Sequence, residues 1–351
     1  MSTLRLLSNS YNTEFHPTNS AIHRIHEKRA LGVFLNSLLD TPEEWVSHIK
    51  QMIGAIIIGV AYGVQVQPKD DPNITAASKM YSVLNAASVP GAFLVDILSF
   101  LKYVPAWFPG ASFKQKAKAW YGIRNATIRP PFMQVKQALI DGTANDSFTS
   151  RCLANVEHFN LDSDSDCLLE EEEMIMQTAG TLYEGGADTG KTALRTFLLA
   201  MMCFPDAQHA AQEELDHVIG QKRLPDYQDM DDPATLPYVR AIILECLRGI
   251  LRDKRRYGPT ASTFDPKRWL LQTFDDKGKV QWELDSDMME HDPIPISFGF
   301  GRRVCPGQHM ALSTFQINVA SLLHCFNIDP PVDENGNHII PEIKYVSGIT
   351  K

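Results

Sequence analysis

Ten residues, Phe298-Gly299-Phe300-Gly301-Arg302-Arg303-Val304-Cys305-Pro306-Gly307, constrain this chain more than any other segment. A single cysteine stands between a glycine-rich, arginine-bearing turn and a helical pattern. A thiolate stays ionised beside cations and backbone donors. Arg302 and Arg303 supply the cations, and the free N–H groups at the head of the following helix supply the donors. The glycines let the backbone approach a flat, bulky ligand closely. The competing reading is a buried structural cysteine in a tight turn.

Most of the remaining chain reads as helix. Leu31, Phe34, Leu35 and Leu38 recur at helical spacing. Thr41-Pro42-Glu43-Glu44 predicts a restart, with Thr41 as N-cap, Pro42 as first helical residue and Glu44 as reciprocal capping partner. Ile49, Met52, Ile53, Ile56 and Ile57 mark the next helix. The apolar run Met52–Val64 is too short to span a bilayer and is broken by glycines, so it reads as a buried helix. Residues 68–73 form a turn. Residues 90–120 are apolar and aromatic, with Phe93, Phe100, Tyr103, Trp107, Phe108 and Phe113, and read either as core or as a lid over an apolar pocket that also touches membrane. Residues 141–167 are polar and loop-like. A long helix runs from Glu170 to about Cys203, its acids placed where the macrodipole favours them. Pro205 opens the following helix to Gly220, with Leu215 and Val218 inward. Further helices cover 236–251 and about 306–324. A turn falls at Asp275-Asp276-Lys277-Gly278, and Asp333 to Asn337 predicts a hairpin turn between two short strands.

Composition excludes several function classes. A formal net charge of −9 without a basic, aromatic-interleaved cluster argues against a nucleic-acid partner. The 6 cysteines show no paired spacing, so no zinc site is indicated, and their sparseness suits a reducing, cytosol-facing compartment. Asn73, Asn125 and Asn145 begin Asn-x-Ser/Thr triplets, set aside because no signal peptide precedes them.

Gly185-Gly186-Ala187-Asp188-Thr189 lies in the middle of the long helix. Each glycine there costs about 1 kcal/mol relative to alanine, so the helix needs close approach or a local opening. Asp188 and Thr189 put an acid and an alcohol beside it; their bland reading is a solvated helix face. The same stretch, Gly185 to Thr192, satisfies the Walker A phosphate-cradle pattern. That motif requires a buried strand before it, yet Gln177 to Glu184 lacks a β-branched run and continues the helical pattern. Further on, Glu245 and Arg248 share one helix face at i and i+3. Such a lone pair is ordinarily a surface ion pair worth well under about 1 kcal/mol.

Taken together these segments resemble the cytochrome P450 family. Phe298, Gly301, Arg303, Cys305 and Gly307 meet the five fixed positions of its haem-ligand signature, Phe-x-x-Gly-x-Arg-x-Cys-x-Gly. Gly185 to Thr189 is similar to its oxygen-activating helix. Glu245 and Arg248 match its Glu-x-x-Arg motif, with Arg268 of Pro266-Lys267-Arg268 as third member of a structural network. Residues 101–110 look like fungal, especially basidiomycete, microsomal members. The resemblance implies a mainly α fold of the cytochrome P450 type with small residual β-sheets, in one domain over 1–351. It implies haem b (iron protoporphyrin IX) with Cys305 as axial iron ligand. Arg303 would bind a haem propionate, Thr189 would hydrogen-bond dioxygen and Asp188 would relay protons. The implied activity is monooxygenation of a small apolar substrate by O2 in fungal secondary metabolism. NADPH-cytochrome P450 reductase would supply the electrons. The implied location is the cytosolic face of the endoplasmic reticulum membrane, with surface contact through residues 90–113; lacking a transmembrane segment, the chain could equally be cytoplasmic.

The pattern also departs from the family. Tyr11 to Pro17 looks like the region just after the family's Trp-x-x-x-Arg helix, and the chain ends at Thr350-Lys351, so it reads as truncated at both ends. The interval from Arg248 to Arg268 is 20 positions, where the family has several dozen residues, which suggests an internal deletion near 249–258. Gly190 stands where relatives usually carry a second threonine. Two alternatives therefore stand beside an active monooxygenase: a catalytically impaired or inactive remnant, and a P-loop nucleotide-binding protein using Gly185 to Thr192.

Overall fold

The computed structural model describes residues 14–16, 20–89, 91–156, 170–249, 251, 253–274, 276 and 278–341. Of the positions singled out above, Tyr11, Pro17, Pro90, Cys167, Asp275, Lys277, Thr350 and Lys351 lie outside them, as do Ile250 and Arg252 within the proposed deletion. The described backbone divides into two compact units, residues up to Lys191 and those from Thr192 onward.

In the first unit, helix α1 (Ser20–Asp40) buries Leu31, Phe34 and Leu35 and packs along α2 (Trp45–Tyr62). The predicted cap between them differs. Pro42–Glu44 is a 3-10 turn, and Thr41 makes no side-chain cap. Its hydroxyl instead meets His48 Nε2 at 2.9 Å, a partner on the next helix that the capping pattern does not contain. In α2, Ile49, Met52, Ile53, Ile56, Ile57 and Ile58 are all buried. At about 1.5–3 kcal/mol per fully buried side chain, this helix is the core of the unit. It is long and apolar enough to cross a membrane by composition, but 61% of that window is buried inside the structure. Gly63 ends α2 at φ +65°, and its carbonyl accepts Asn145 Nδ2 at 2.9 Å. A Cβ there would stand 3.0 Å from that of Asn145, so glycine is required for both reasons.

Helix α3 (Pro72–Ser88) starts at Asp71, whose carboxylate accepts the Asn73 N–H at 2.8 Å. It packs on α4 (Ser112–Ile140). Within the stretch read as loop lies α5 (Phe148–Ala154), nucleated by a capping box in which Ser147 and Ser150 exchange bonds. Phe148 and Leu153 bury it, and the Thr149 hydroxyl donates to Ala61 O at 2.7 Å. Helix α6 (Glu170–Cys203) is helical from the first described residue of this stretch and ends where predicted. Pro130 and Pro131 each remove a donor inside α4. Charged pairs to α6 flank them: Arg124 to Glu184 at 2.6 Å and the buried Lys136 to Glu172 at 3.0 Å.

In the second unit, α7 (Pro205–Val218) packs on α8 (Pro237–Arg248), which also meets the hairpin β1 (Leu270–Phe274) and β2 (Val280–Leu284) and the helix α9 (Gln308–Cys325). The hairpin is antiparallel, pairing Leu270 with Leu284 and Phe274 with Val280. Leu215 is buried as expected, but Val218 is 39% exposed and Ile219 takes the inward place, because the helix ends there. The Asp333 region forms a turn closed by a single bridge, Val332 to His338, rather than two strands. One tertiary contact had no sequence signal. Glu214 of α7 accepts the N–H groups of Tyr238 (2.9 Å) and Val239 (3.0 Å) at the head of α8. Burial outweighs those bonds and pushes its carboxyl up to about 7. The fold is mainly α, with a small residual sheet.

Candidate functional site: the Cys305 loop and its supports

The decapeptide is a corner. A single helical turn, Ile294–Phe298, stops at Gly299 (φ +75°); a 3-10 turn follows over Gly301–Arg303 with Gly301 at φ +66°, and α9 begins at Gln308. Both glycines occupy backbone that L side chains rarely adopt, which is why the motif carries them. The Cys305 N–H donates to Phe298 O at 2.8 Å and closes the loop. This leaves Cys305 exposed between Phe300 (77% exposed) and Val304 (43% exposed). Arg302 and Arg303 are exposed, and a Cβ added at Gly301 or Gly307 would meet nothing within 4 Å. The structural-cysteine reading required a fully buried residue, and Cys305 is exposed. Partial desolvation of its sulfur still pushes the thiol up and the Gly307 N–H partly opposes it; the two exposed arginines contribute no lowering. The thiol is thus a soft donor that a bound metal must deprotonate.

The loop fits a thiolate-ligated haem. An exposed sulfur, flanking apolar side chains and two arginines with no ion-pair partner among the described residues match a flat apolar macrocycle bearing carboxylates.

Beneath the loop, Glu245, Arg248 and Arg268 come together. The Glu245 side chain is 0% exposed and those of Arg248 and Arg268 are 3% and 5%. Arg248 Nε donates to Glu245 Oε2 at 2.8 Å and its Nη2 donates to Oε1. Arg268 Nε lies 3.4 Å from Oε2. Trp269 Nε1 (2.9 Å) and the Asp265 N–H (3.1 Å) complete the carboxylate's partners. The remaining guanidinium donors reach main-chain carbonyls: Arg248 to Leu251 and Ala261 (both 2.7 Å), Arg268 to Tyr257 and to Thr260 (2.9 Å). The Tyr257 ring lies under Arg248 and against Trp269. The pair that spacing alone makes a surface ion pair is therefore a buried network, in which Arg268 Nε alone has charge proximity to Glu245 without a hydrogen bond. Trp269 and Tyr257 are members that motif spacing did not mark. Ser297 Oγ donates to Leu247 O at 3.3 Å and ties the head of the loop to α8.

Asp188 and Thr189 lie in the first unit, on α6. Thr189 is exposed, and its hydroxyl donates to Gly185 O at 3.3 Å, leaving the oxygen's lone pairs outward. Asp188 Oδ1 instead meets Lys191 Nζ at 2.6 Å, and that ammonium lies 5.1 Å above the Tyr81 ring. The glycine pair divides its work. A Cβ on Gly186 would stand 2.5 Å from Ile57 Cδ1 of α2, whereas one on Gly185 would meet nothing. Gly186 is thus a packing glycine, and Gly185 leaves the open face. Gly185 to Thr192 is continuous helix, so its N–H groups serve the helix ladder rather than a phosphate cradle.

The family model for cytochrome P450 matches residues 36–250 and 249–346. A cytochrome P450 monooxygenase of Armillaria gallica is 35% identical over 365 residues, covering 98% of this chain and 69% of its own length. Another from Postia placenta is 35% identical over 368 residues, covering 99% and 69%. A tryptamine 4-monooxygenase of Psilocybe cyanescens is 33% identical over 370 residues, covering 95% and 69%.

Proposed function

The chain belongs to the cytochrome P450 family of haem-dependent oxidoreductases, and from that premise we propose that it is a monooxygenase acting on a small apolar substrate in fungal secondary metabolism, with Cys305 as the iron ligand of haem b. The observation that carries this reading is the exposed Cys305 thiol, held at the head of α9 by its own N–H bond to Phe298 O. Thiolate-bound haem supplies the reductive activation of O2 and oxygen-atom transfer. The protein's part is positional. Arg303 would hold a propionate, Phe300 and Val304 would cover apolar porphyrin edge, and the Glu245 network would keep the loop in register. Thr189 would hold and pass a proton at Oγ1, and Asp188 would relay one at its carboxylate. The redox partner would be NADPH-cytochrome P450 reductase, O2 the co-substrate. Leu94, Ile97, Phe100, Tyr103, Trp107 and Phe108, each more than half exposed, support contact with a membrane surface, and with it placement at the cytosolic face of the endoplasmic reticulum.

The test is haem content and the reduced carbon-monoxide spectrum. The wild-type chain should bind haem stoichiometrically with a thiolate-type Soret band, and Cys305→Ser should lose that band. A colourless protein, or a spectrum unchanged by the substitution, refutes the assignment.

A second reading, an impaired remnant, is favoured by one observation. The family match breaks into two segments meeting at 249–250, within the short interval from Arg248 to Arg268. It predicts substoichiometric haem and no NADPH-dependent product.

A further inference from the structure

A cavity of about 670 Å3 opens in the second unit at the tail of α9. The helix has 18 residues, so about 27 Å separates this cavity from the Cys305 corner at its head. Its size lies within the range of small-molecule sites, about 300–1,000 Å3. One wall is made by the last turns of α7 and α9, with Asp216, Leu323, His324 and Cys325; the other is the segment 221–224. Both walls are fixed. The Gln212 amide nitrogen reaches Leu323 O (3.2 Å), Phe326 O (3.1 Å) and Asn327 Oδ1 (3.1 Å), which ties the end of α9 to α7. Gly220, at φ +69°, turns the chain out of α7. Arg223 then donates to both oxygens of Asp229, at 2.6 and 2.7 Å, and holds the segment 221–224 in place.

The two walls differ in charge. On one side, two helices present the negative ends of their dipoles, and the Asp216 carboxylate adds a full charge. On the other, Lys222 is cationic, whereas the charge of Arg223 is already met by Asp229. Neither Asp216 nor Lys222 has a hydrogen bond or ion pair among the described residues. Opposite charges that line one cavity without meeting each other are preorganised for a molecule that carries both. Leu224, Leu323 and Phe326 add apolar surface. The Nδ1 of His324 is buried without a hydrogen-bond partner, a polar atom for an occupant to satisfy. A simple anion would meet Asp216 and the helix ends, and a simple cation would meet Lys222. A metal ion lacks ligands, since no group of three or more His, Cys, Asp or Glu side chains is placed to hold one among the described residues. We propose that this cavity binds a zwitterion of short-peptide size, its ammonium at Asp216 and the helix ends, its carboxylate at Lys222, and an apolar side chain against Phe326. The site is independent of the haem reading of Cys305.

Cys325, exposed on the cavity wall, is the reporter. The full chain is treated with N-ethylmaleimide at neutral pH, with and without the tripeptide Gly-Phe-Gly, and each cysteine is followed by mass spectrometry. Half-buried Cys203, which does not line the cavity, is the control. Saturating peptide should slow modification of Cys325 about tenfold or more and leave Cys203 unchanged. The N-acetylated and C-amidated peptides, each lacking one charge, should bind about fivefold more weakly, the weight of an exposed ion pair. Asp216→Asn and Lys222→Gln should each weaken the parent peptide by the same factor. The losses should also pair: acetylation should cost nothing further in Asp216→Asn, nor amidation in Lys222→Gln. Full reactivity of Cys325 under millimolar peptide overturns the site. Equal protection by all three peptides, or losses that simply add in the paired variants, overturns the zwitterion. Both substituted residues are exposed, and circular dichroism melts check that the variants are folded.

Discussion

Neutralising Glu245 tests whether the network beneath the Cys305 loop is structural. Glu245→Gln keeps the side-chain volume and one acceptor oxygen but removes the charge that compensates Arg248 and Arg268, whose side chains are 3% and 5% exposed. It also turns an amide NH2 toward donors, chiefly Arg248 and Trp269 Nε1, that now face a carboxylate. Breaking a buried, bonded ion pair on one side costs about 3–5 kcal/mol. A domain of this kind has about 5–15 kcal/mol in total, so a large fraction is at stake. With a urea slope of about 2 kcal/mol/M, the unfolding midpoint of the second unit should fall by about 2 M. Lys69→Met supplies the comparison: it breaks a 3.6 Å pair with Glu44 whose side chains are 75% and 44% exposed, and should leave the midpoint within error. Followed by tryptophan fluorescence, where Trp269 reports directly on the network, a midpoint shift for Glu245→Gln no larger than that of Lys69→Met would refute the account. In that case the carboxylate would be replaceable by the carbonyls around it.

The same reasoning yields three shorter expectations. Glu214 has an ordinary value of 4.5 and a folded value of about 7, so the folded state binds more protons than the unfolded one between those pH values and stability falls as pH rises through that window. The loss amounts to about 3 kcal/mol, and urea melts at pH 5 and 7.5 should show it in the wild type and not in Glu214→Gln. Gly186→Ala should destabilise by about 1–3 kcal/mol through overpacking on Ile57, while Gly185→Ala, open on that side, should stabilise the helix by up to about 1 kcal/mol; thermal melts of the pair distinguish packing from propensity. Replacing Trp107 and Phe108, 80% and 51% exposed, by serine should weaken co-sedimentation with phospholipid vesicles roughly tenfold or more. Equal sedimentation would remove the membrane assignment.

How far the fold was legible depends on the range of the interaction that decides each element. The end of α6 follows from a local signal, the proline just past Cys203, and the structure places it as expected; at its other end the four acids of the first turn are helical from the first described residue, Glu170. The first turns of α2 follow from their spacing, Ile49, Met52, Ile53, Ile56 and Ile57 marking one stripe, whereas its last two turns, Ile56 to Tyr62, are buried on every side, as their unbroken apolar run implies. Failures cluster where a side chain chooses a partner from another element. Thr41 bonds His48 instead of capping, and α5 survives because Phe148 and Leu153 find buried places, although its composition is that of a loop. Val218 and Ile219 exchange roles because the helix ends one position before the hydrophobic repeat does.

The site divides along the same line. The Cys305 corner is written in glycines whose positive φ angles are intrinsic to those positions, so motif and geometry agree without help from distant residues. The partner of the Asp188 carboxylate is local, Lys191 at i+3, but the ring under that ammonium, Tyr81, is remote in sequence, and spacing alone could assign Lys191 to a phosphate loop as readily as to an ion pair. The Glu245 network lies between these cases. Its three charges are visible at their spacing, yet what satisfies the two arginines is the main chain of residues 251–263, through the carbonyls of Leu251, Tyr257, Thr260, Ala261 and Thr263. That segment belongs to the short interval itself. The arginines therefore do not need a longer connection to be bonded, because each carbonyl they use lies within twenty residues of Arg248 and on its own side of Arg268. Bonding of the two arginines and the length of this stretch are thereby separable properties. A chain of this design can keep the first while differing in the second, which is why haem content and product formation must be measured as independent quantities.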